Sequence, residues 1–470
     1  MTPADPRSPW LQTAEAALGE LRRLAKRREE LDLDIRITRE HVDDIRGSRS
    51  WRALELYRRA RAKTGLSGAG AGALQAAWRA RRARRTVAAR VRTVPLGVNV
   101  AGYLDTESGM GEAARASIRA LTSAGVPLSL NNVLSKLRAG DITYRDTFTD
   151  DNPQPFNLVH LNADNMPAFS ARRGRRYFAD RYTIGYWFWE LSTFRDEWVP
   201  FAGYVDEVWA ATRFVQQAVA AKCAIPVRRM RLPVVLPHLP PRGRAHFGIP
   251  EGPTAFLYVF DVSSQTERKN PLAAIRAFRK AALPHDQAVL VLKLGNPEYD
   301  RAGVRRLHEE AAGLHVVMLD GYLDRPDLFA LLNAADCYLS PHRAEGFGLT
   351  LLESMALGKP VIATAYSGNM DFMTAENSFP LDFTLVSLTR DYGPYMRGAV
   401  WAEPDVDKAA ALIRTIAASP EEAAARGARA RRMVEELYSP ASTGVAMRAR
   451  LEAIRGGRRD SDRTGEGSGA

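Results

Sequence analysis

From residue 254 to residue 364 short, unbroken apolar runs alternate with helix-length stretches, and this alternation is the strongest constraint on the fold. The run Thr254-Ala-Phe-Leu-Tyr-Val-Phe-Asp261 is apolar at nearly every position. A strand of that kind belongs in a parallel sheet covered on both faces, because a strand with one wet face would alternate. Residues 288–293, 315–321, 337–340 and 359–364 read as further strands. Helices are expected at 272–283, 301–312, 327–335 and 348–357. Strand–helix repetition of this sort predicts a doubly wound, Rossmann-like lobe that binds its ligand at the carboxyl ends of the strands.

Two turns of this lobe carry candidate chemistry. The stretch Pro341-His-Arg-Ala-Glu-Gly-Phe-Gly-Leu-Thr-Leu-Leu-Glu353 leads from a strand through glycines into a helix. Such a turn aims free N–H groups and the positive end of a helix dipole at one place, a seat suited to a diphosphate. Glu345 lies in the turn and Glu353 about two helical turns later. Carboxylates are poor phosphate ligands but good acceptors for sugar hydroxyls, so the pair suggests a ligand carrying both. A surface helix with acids near its positive end would show the same residues. The second turn, Val262-Ser-Ser-Gln-Thr-Glu-Arg-Lys-Asn-Pro271, projects Arg268 and Lys269 from the same edge, where Arg can hold a phosphate bidentately and Lys as a point charge.

The spacing of Glu345 and Glu353, with Gly-Phe-Gly after the first, resembles the family 4 retaining glycosyltransferases, which have the two-lobed GT-B fold. The resemblance implies that Glu353 binds the ribose of a nucleotide-sugar donor and that Glu345 sits near the donor sugar. The backbone of Gly346, Phe347, Gly348 and Leu349 would hold the sugar and phosphates. Lys269 matches a family lysine. Near the family arginine stand Ser263 and Ser264, and Arg268 takes that role in this reading, with Ser264 close to the donor. Tyr322 lies where the family contacts the base, and Ser367 and Asn369 lie within reach of the donor. Gly393-Pro-Tyr395 and Trp401-Ala-Glu-Pro404 resemble a subset of the family associated with bacterial surface polysaccharides.

The preceding part of the chain reads as a second lobe. A strand at 96–101 leads into the loop 102–112 and a helix at 113–124. Gly109-x-Gly111-x-x-Ala114 matches a relaxed dinucleotide fingerprint after a strand. The acid expected about 20 residues on is absent, since that zone reads Ser129-Leu-Asn-Asn-Val-Leu-Ser-Lys136. The resemblance gives Gly109 and Gly111 another use, as backbone that approaches phosphate or sugar across the cleft. Strands are expected at 156–164, 182–190, 207–212 and 230–237. His160, at a polar strand end, falls where the family has a histidine touching the donor sugar; a satisfied structural histidine is the plainer alternative. Glu190, after Tyr186-Trp-Phe-Trp189, is a candidate acceptor-site residue, while a core strand with a capping acid explains the rings equally well.

Charge and composition bound the rest. Of a net +12, residues 1–95 contribute +11, with 22 Lys and Arg against 11 Asp and Glu. The basic character therefore belongs to an appendage, and no nucleic-acid partner is expected from the body. Residues 10–46 show a heptad-like seam with polar breaks at Arg28 and Thr38, which predicts a short coiled coil and a possible homodimer. Residues 46–92 hold 14 basic residues and one acid, with Trp51, Leu54, Tyr57 and Trp78 interleaved. That mixture suits an anionic membrane surface. A solvated basic helix would share the composition. Two cysteines, Cys223 and Cys337, fit a reducing compartment. With no apolar run approaching about 18 residues and no leader pattern, the expectation is a cytoplasmic protein touching the inner membrane face.

These features predict an α/β GT-B protein: a basic helical extension at 1–94, a Rossmann-like acceptor-side lobe at 95–240, and a donor-side lobe at 241–418. Helices at 419–455 would cross the lobes, and a polar tail would follow at 456–470. The expected activity is transfer of a sugar from a nucleotide-diphosphate sugar to a glycan or lipid-linked acceptor, as a metal-independent glycosyltransferase of polysaccharide biosynthesis. No cofactor beyond the donor and no metal are expected, since the three D-x-D pairs, at 32–34, 405–407 and 460–462, lie outside the motifs. Retention is implied by the resemblance alone. Double displacement through Glu345 and front-face attack both stay open. Three rivals stand: a non-catalytic nucleotide-sugar-binding scaffold, a dinucleotide-dependent oxidoreductase, and nucleic-acid binding through residues 46–92.

Overall fold

A computed structural model describes Val91 and residues 93–135, 139–140 and 145–457. The coiled coil expected at 10–46, the basic segment at 46–92 apart from Val91, and the tail from 458 lie outside these residues.

The first lobe is a six-stranded parallel sheet of β1 (Val98–Gly102), β2 (Leu128–Asn132), β3 (Phe156–His160), β4 (Tyr182–Trp187), β5 (Glu207–Ala210) and β6 (Val227–Arg229), in the order β2-β1-β3-β4-β5-β6. Helices α1 (Gly109–Ser123), α2 (Met166–Phe178) and α3 (Arg213–Ala220) connect them, α2 with a break at Gly174. The first helix starts at Gly109 rather than 113, because the Ser108 hydroxyl accepts from the Gly111 N–H at 3.1 Å and caps it. The strand expected at 230–237 is not formed. Met230 still donates to the Ala210 carbonyl at 2.8 Å. Pro233, just beyond, has no N–H to offer a ladder.

The second lobe repeats the plan with β7 (Thr254–Asp261), β8 (Ala288–Gly295), β9 (Val316–Asp320), β10 (Cys337–Ser340), β11 (Val361–Thr364) and β12 (Phe379–Leu381). Their order is β12-β11-β10-β7-β8-β9, all parallel. The helices are α4 (Thr266–Lys269), α5 (Pro271–Ala281), α6 (Arg301–Ala311), α7 (Arg325–Ala334) and α8 (Leu349–Ala356). The strand β8 is buried along almost its whole length, as an apolar run in a doubly covered sheet must be. Two features escape the sequence pattern. The turn after β7 contains α4, bracketed by Gln265 at φ 70° and Asn270 at φ 56°. An antiparallel hairpin, β13 (Phe383–Ser387) with β14 (Val400–Pro404), follows the sheet.

Helices α9 (Val406–Ala418) and α10 (Pro420–Leu437) belong to the second lobe, and α11 (Pro440–Arg455) returns to the first. There it lies along α1 so closely that a Cβ on Gly444 would sit 2.2 Å from the Ala120 carbonyl oxygen. Arg450 of α11 reaches the Glu207 carboxylate with two bonds, of 2.5 and 3.0 Å. Trp209 Nε1 at 2.9 Å and the Tyr182 hydroxyl at 3.2 Å also donate to Glu207, whose side chain is wholly buried. Among the described residues no helix is long and apolar enough to cross a membrane.

Removing one partner of a buried ion pair leaves an uncompensated charge, at a cost of about 3–5 kcal/mol. Arg450→Met is expected to lower the unfolding free energy by roughly that amount. A urea titration followed by circular dichroism checks it.

Candidate active site

Both sheets have a topological switch point, the place where strand order reverses and α/β proteins open a crevice. In the second lobe it falls between β7 and β10. The segments leaving those strands are the turn with Arg268 and Lys269 and the turn with Glu345. In the first lobe it falls between β1 and β3, whose ends carry the loop to Gly109 and His160.

At the second switch point the opposite charges meet. Lys269 Nζ lies 2.5 Å from Glu345 Oε1, and Arg268 Nη1 lies 3.3 Å from Glu345 Oε2. Arg268 is anchored from behind, its Nη1 donating to the Ala344 carbonyl at 2.8 Å and its Nη2 to the Ser264 carbonyl at 3.1 Å. Ser264 thus contributes its carbonyl. Burial alone would raise the Glu345 carboxyl, but Lys269, Arg268 and His342 outweigh it and take the group down to about 2. Burial lowers the Lys269 ammonium, with Glu345 opposing. The Glu345 N–H donates to Ser367 Oγ at 2.8 Å. Ser367 holds φ 77° and ψ −145°, a region nearly reserved for glycine. Strain of that kind collects at functional sites, where the surroundings over-determine the backbone.

The glycine turn is shaped by what faces it. The Gly346 carbonyl accepts from Thr212 Oγ1 at 2.9 Å, and a Cβ there would sit 3.0 Å from the Trp189 carbonyl oxygen. Both partners belong to the first lobe, so the turn touches the opposite lobe. Gly348 precedes α8 at φ 84°, a left-handed conformation that favours glycine. Leu349 opens the helix. Phe347 turns into the core, 5 % exposed, with its ring edge-on to Phe372 at 5.9 Å, so only its backbone is part of the turn.

Glu353 is 1 % exposed and accepts from Arg325 Nη1 at 2.7 Å. Arg325 Nη2 also lies 3.2 Å from Glu112 of α1 in the first lobe. Arg115 at 3.0 Å and Arg119 complete the set around Glu112. Burial raises the Glu353 carboxyl, with Arg325 partly offsetting it. Glu112 is held low instead, because Arg325, Arg119 and Arg115 together outweigh its burial. The network joins the lobes beside the expected ribose position.

His160 is fully buried, stacked on Tyr186 with centroids 4.7 Å apart, and neither ring nitrogen has a partner. Burial depresses it to about 3, so the ring is neutral at physiological pH. Gly109 opens α1 with no atom within 4 Å of a notional Cβ. The Gly111 N–H is committed to the Ser108 cap, and its Cβ position would lie 2.2 Å from the Thr106 carbonyl oxygen. At the end of β2, where a dinucleotide fold places its ribose-binding acid, Asn132 Oδ1 accepts from Leu104 N at 2.9 Å and Asp105 N at 3.3 Å. Tyr322 follows Gly321 at the end of β9 and is 45 % exposed.

Glu190, after β4, joins the charged cluster from the first lobe. The Tyr395 hydroxyl donates to its Oε2 at 2.9 Å, and the Tyr395 ring lies 5.9 Å from the Arg268 guanidinium carbon. Arg325, Glu112, Tyr395 and the buried His342 are the site neighbours that sequence spacing did not single out. His342 Nε2 lies 3.1 Å from Asn369 Oδ1 and Nδ1 lies 3.0 Å from Ser340 Oγ. A histidine two residues beyond the end of β10 is its one visible signal in the sequence.

Residues 243–433 match the family model for glycosyl transferases, group 1. The match takes in β7 to α9 and most of α10, and so the Lys269–Glu345 pair and Glu353. The chain is 28% identical over 142 residues to the D-inositol 3-phosphate glycosyltransferase of Arthrobacter sp. (strain FB24), covering 29% of this chain and 32% of that protein. It is 30% identical over 149 residues to the GDP-mannose-dependent alpha-(1-6)-phosphatidylinositol dimannoside mannosyltransferase of Mycobacterium tuberculosis, covering 32% and 33%. A shorter match, 47% over 60 residues, is to the O-antigen biosynthesis glycosyltransferase WclY of Escherichia coli, covering 13% and 15%. The chain thus spans a third or less of these relatives' length. Among solved structures, Anabaena HepE in complex with UDP and glucose aligns with a TM-score of 0.55 at 14% identity, over 76% of this chain and all of that one. Sucrose-phosphate synthase from Thermosynechococcus elongatus aligns at 0.57 and 16%, over 77% and all of that chain. With its two parallel-sheet lobes, the protein has the α/β GT-B fold, and its second lobe carries a group 1 glycosyltransferase domain.

A carboxyl whose folded value lies near 2 contributes stability above its unfolded value, and that stability is lost as pH falls toward 2. The stability advantage of wild type over Glu345→Gln should therefore shrink as pH drops from 5 to 2. Denaturant midpoints measured across that range read it directly.

Proposed function

We propose that the protein is a retaining glycosyltransferase that moves a sugar from a nucleotide-diphosphate donor to a hydroxyl of a glycan or lipid-linked acceptor. The observation that carries this reading is the Lys269–Glu345 pair at the switch point of the matched domain. A nucleoside diphosphate leaving group gains charge as the glycosidic bond breaks. Lys269, Arg268 and the N–H groups at the start of α8 would stabilise it, and preorganised charges of that kind are worth most where they need not reorganise. Glu345 would lie at the sugar and Glu353 at the ribose, the latter after exchanging Arg325 for sugar hydroxyls. His160, with both nitrogens unpaired, would gain a partner from the donor sugar. The backbone of Gly346–Leu349 and Gly109 would face the phosphates, Tyr322 the base and Glu190 the acceptor.

The relative named for O-antigen biosynthesis supports a place in cell-surface polysaccharide synthesis. In this reading the chain works in the cytoplasm at the inner membrane face, drawn there by residues 46–92 and paired through 10–46. The division into an acceptor-side and a donor-side lobe belongs to the same proposal. A dinucleotide-dependent oxidoreductase fits less well, since Asn132 stands at the ribose-binding position and is occupied by the loop after β1.

The test is nucleotide release from UDP-, GDP-, ADP- and dTDP-sugars by the full chain. One donor series should be turned over. Lys269→Ala should lower kcat by about 100-fold or more, the typical cost of losing a transition-state donor. Glu353→Ala should weaken nucleotide binding about tenfold, the equivalent of one good hydrogen bond to a charged group. Wild-type rates in both variants would refute the site assignment. Nucleotide binding without any sugar release would favour the scaffold.

A further inference from the structure

The segment between β13 and β14 is clasped by both lobes. Tyr392 and Tyr395 exchange backbone hydrogen bonds of 2.8 and 3.0 Å around Gly393-Pro394, so the tip is a tight, closed turn. Arg397 N donates to Asp391 Oδ1 at 2.7 Å and braces its base. On the first-lobe side, Arg195 Nη1 donates to the Pro394 carbonyl at 3.1 Å. On the second-lobe side the tip meets Gln265, whose amide nitrogen would lie 2.3 Å from a Cβ on Gly393. The turn delivers Tyr395, 3 % exposed, into the junction. Its ring stands 5.6 Å from that of Trp189.

Glu190 depends on this turn. Among the described residues, Tyr395 makes the only hydrogen bond to the Glu190 carboxylate, and it engages one oxygen, Oε2. Burial and the Glu190 charge keep the phenol protonated, against the opposing pull of Arg268, so it remains a donor. Glu190 also lies close enough to Arg268 and Lys269 to favour their charged forms. A carboxylate with one oxygen fixed and the other open, beside the pair that handles the leaving group, is placed to accept from an incoming hydroxyl.

We propose that Tyr395 is a positioning residue, whose hydroxyl holds the Glu190 carboxylate of the first lobe against the Arg268–Lys269–Glu345 cluster of the second. The acceptor hydroxyl then meets Glu190 in a fixed orientation. This inference rests on the glycosyl-transfer reading above. A carboxylate released from its one donor swings freely, and small misplacements near reacting atoms are costly in rate.

The experiment uses the full chain, the donor found active in the nucleotide-sugar screen, and water or octyl β-glucoside as acceptor. Tyr395→Phe keeps the ring over Arg268 and removes only the hydroxyl. It should leave donor Kd within about twofold and cut the kcat for nucleotide release by about tenfold, the size of one lost positioning contact. In a Glu190→Gln background the same change should have almost no further effect, because the two residues act as one unit. A full tenfold loss added on top of Glu190→Gln would overturn the inference, as would an unchanged kcat. A parallel fall in donor affinity and thermal midpoint would show a merely structural role and overturn it too. If wild type releases no nucleotide from any donor, the glycosyl-transfer reading itself fails, and this inference with it.

Discussion

The buried contact between Lys269 and Glu345 is the constraint on which the remaining geometry depends. Two ions at 2.5 Å, each largely removed from water, must be held by structure that tolerates no slack. Desolvation would otherwise drive one of them neutral. The fold meets that demand with Arg268 behind the carboxylate, a left-handed Ser367 accepting from the Glu345 N–H, and β7 and β10 delivering the two turns side by side. The pair stands where strand order reverses, so a crevice between diverging loops is built into the topology.

The same edge of the molecule is where the lobes meet. Thr212 and Trp189 press on the Gly346 turn, Arg325 bridges Glu353 to Glu112, and Tyr395 bridges Glu190 to Arg268. Each bridge sets a residue the sequence marks as functional against a residue of the opposite lobe. Neither lobe alone holds the complete set of charges. The two lobes therefore complete this set of contacts together, and α11 ties the end of the second lobe back onto the first.

Much of this was legible in the sequence, for reasons that can be named. The strands β7 and β10 fall where continuous apolar runs fall, because a strand covered on both faces has no freedom to be polar. Lys269, Arg268 and Glu345 could be placed at one edge from their positions in strand-to-helix turns of one parallel sheet, but not their direct ion pairing. Helix α1 starts at Gly109, ahead of the expected 113, because a serine cap outweighs the glycines that follow it. The strand expected at 230–237 failed at Pro233. Arg325 and Glu112 were out of reach, and Tyr395 was visible only as part of the Gly393-Pro-Tyr395 motif, since each acquires its role from the opposite lobe and no spacing within one lobe encodes a partner in the other. The hairpin carrying Tyr395 has no strand-helix rhythm to announce it.

The most direct measurement is a crystal structure of the protein with a nucleoside diphosphate, its base chosen by thermal shift. The diphosphate should lie between the Lys269 ammonium and the first N–H groups of α8, with Lys269 drawn off Glu345 and the ribose hydroxyls on Glu353. A nucleotide bound elsewhere, with the Lys269–Glu345 contact and the Arg325–Glu353 pair both intact, would contradict the account.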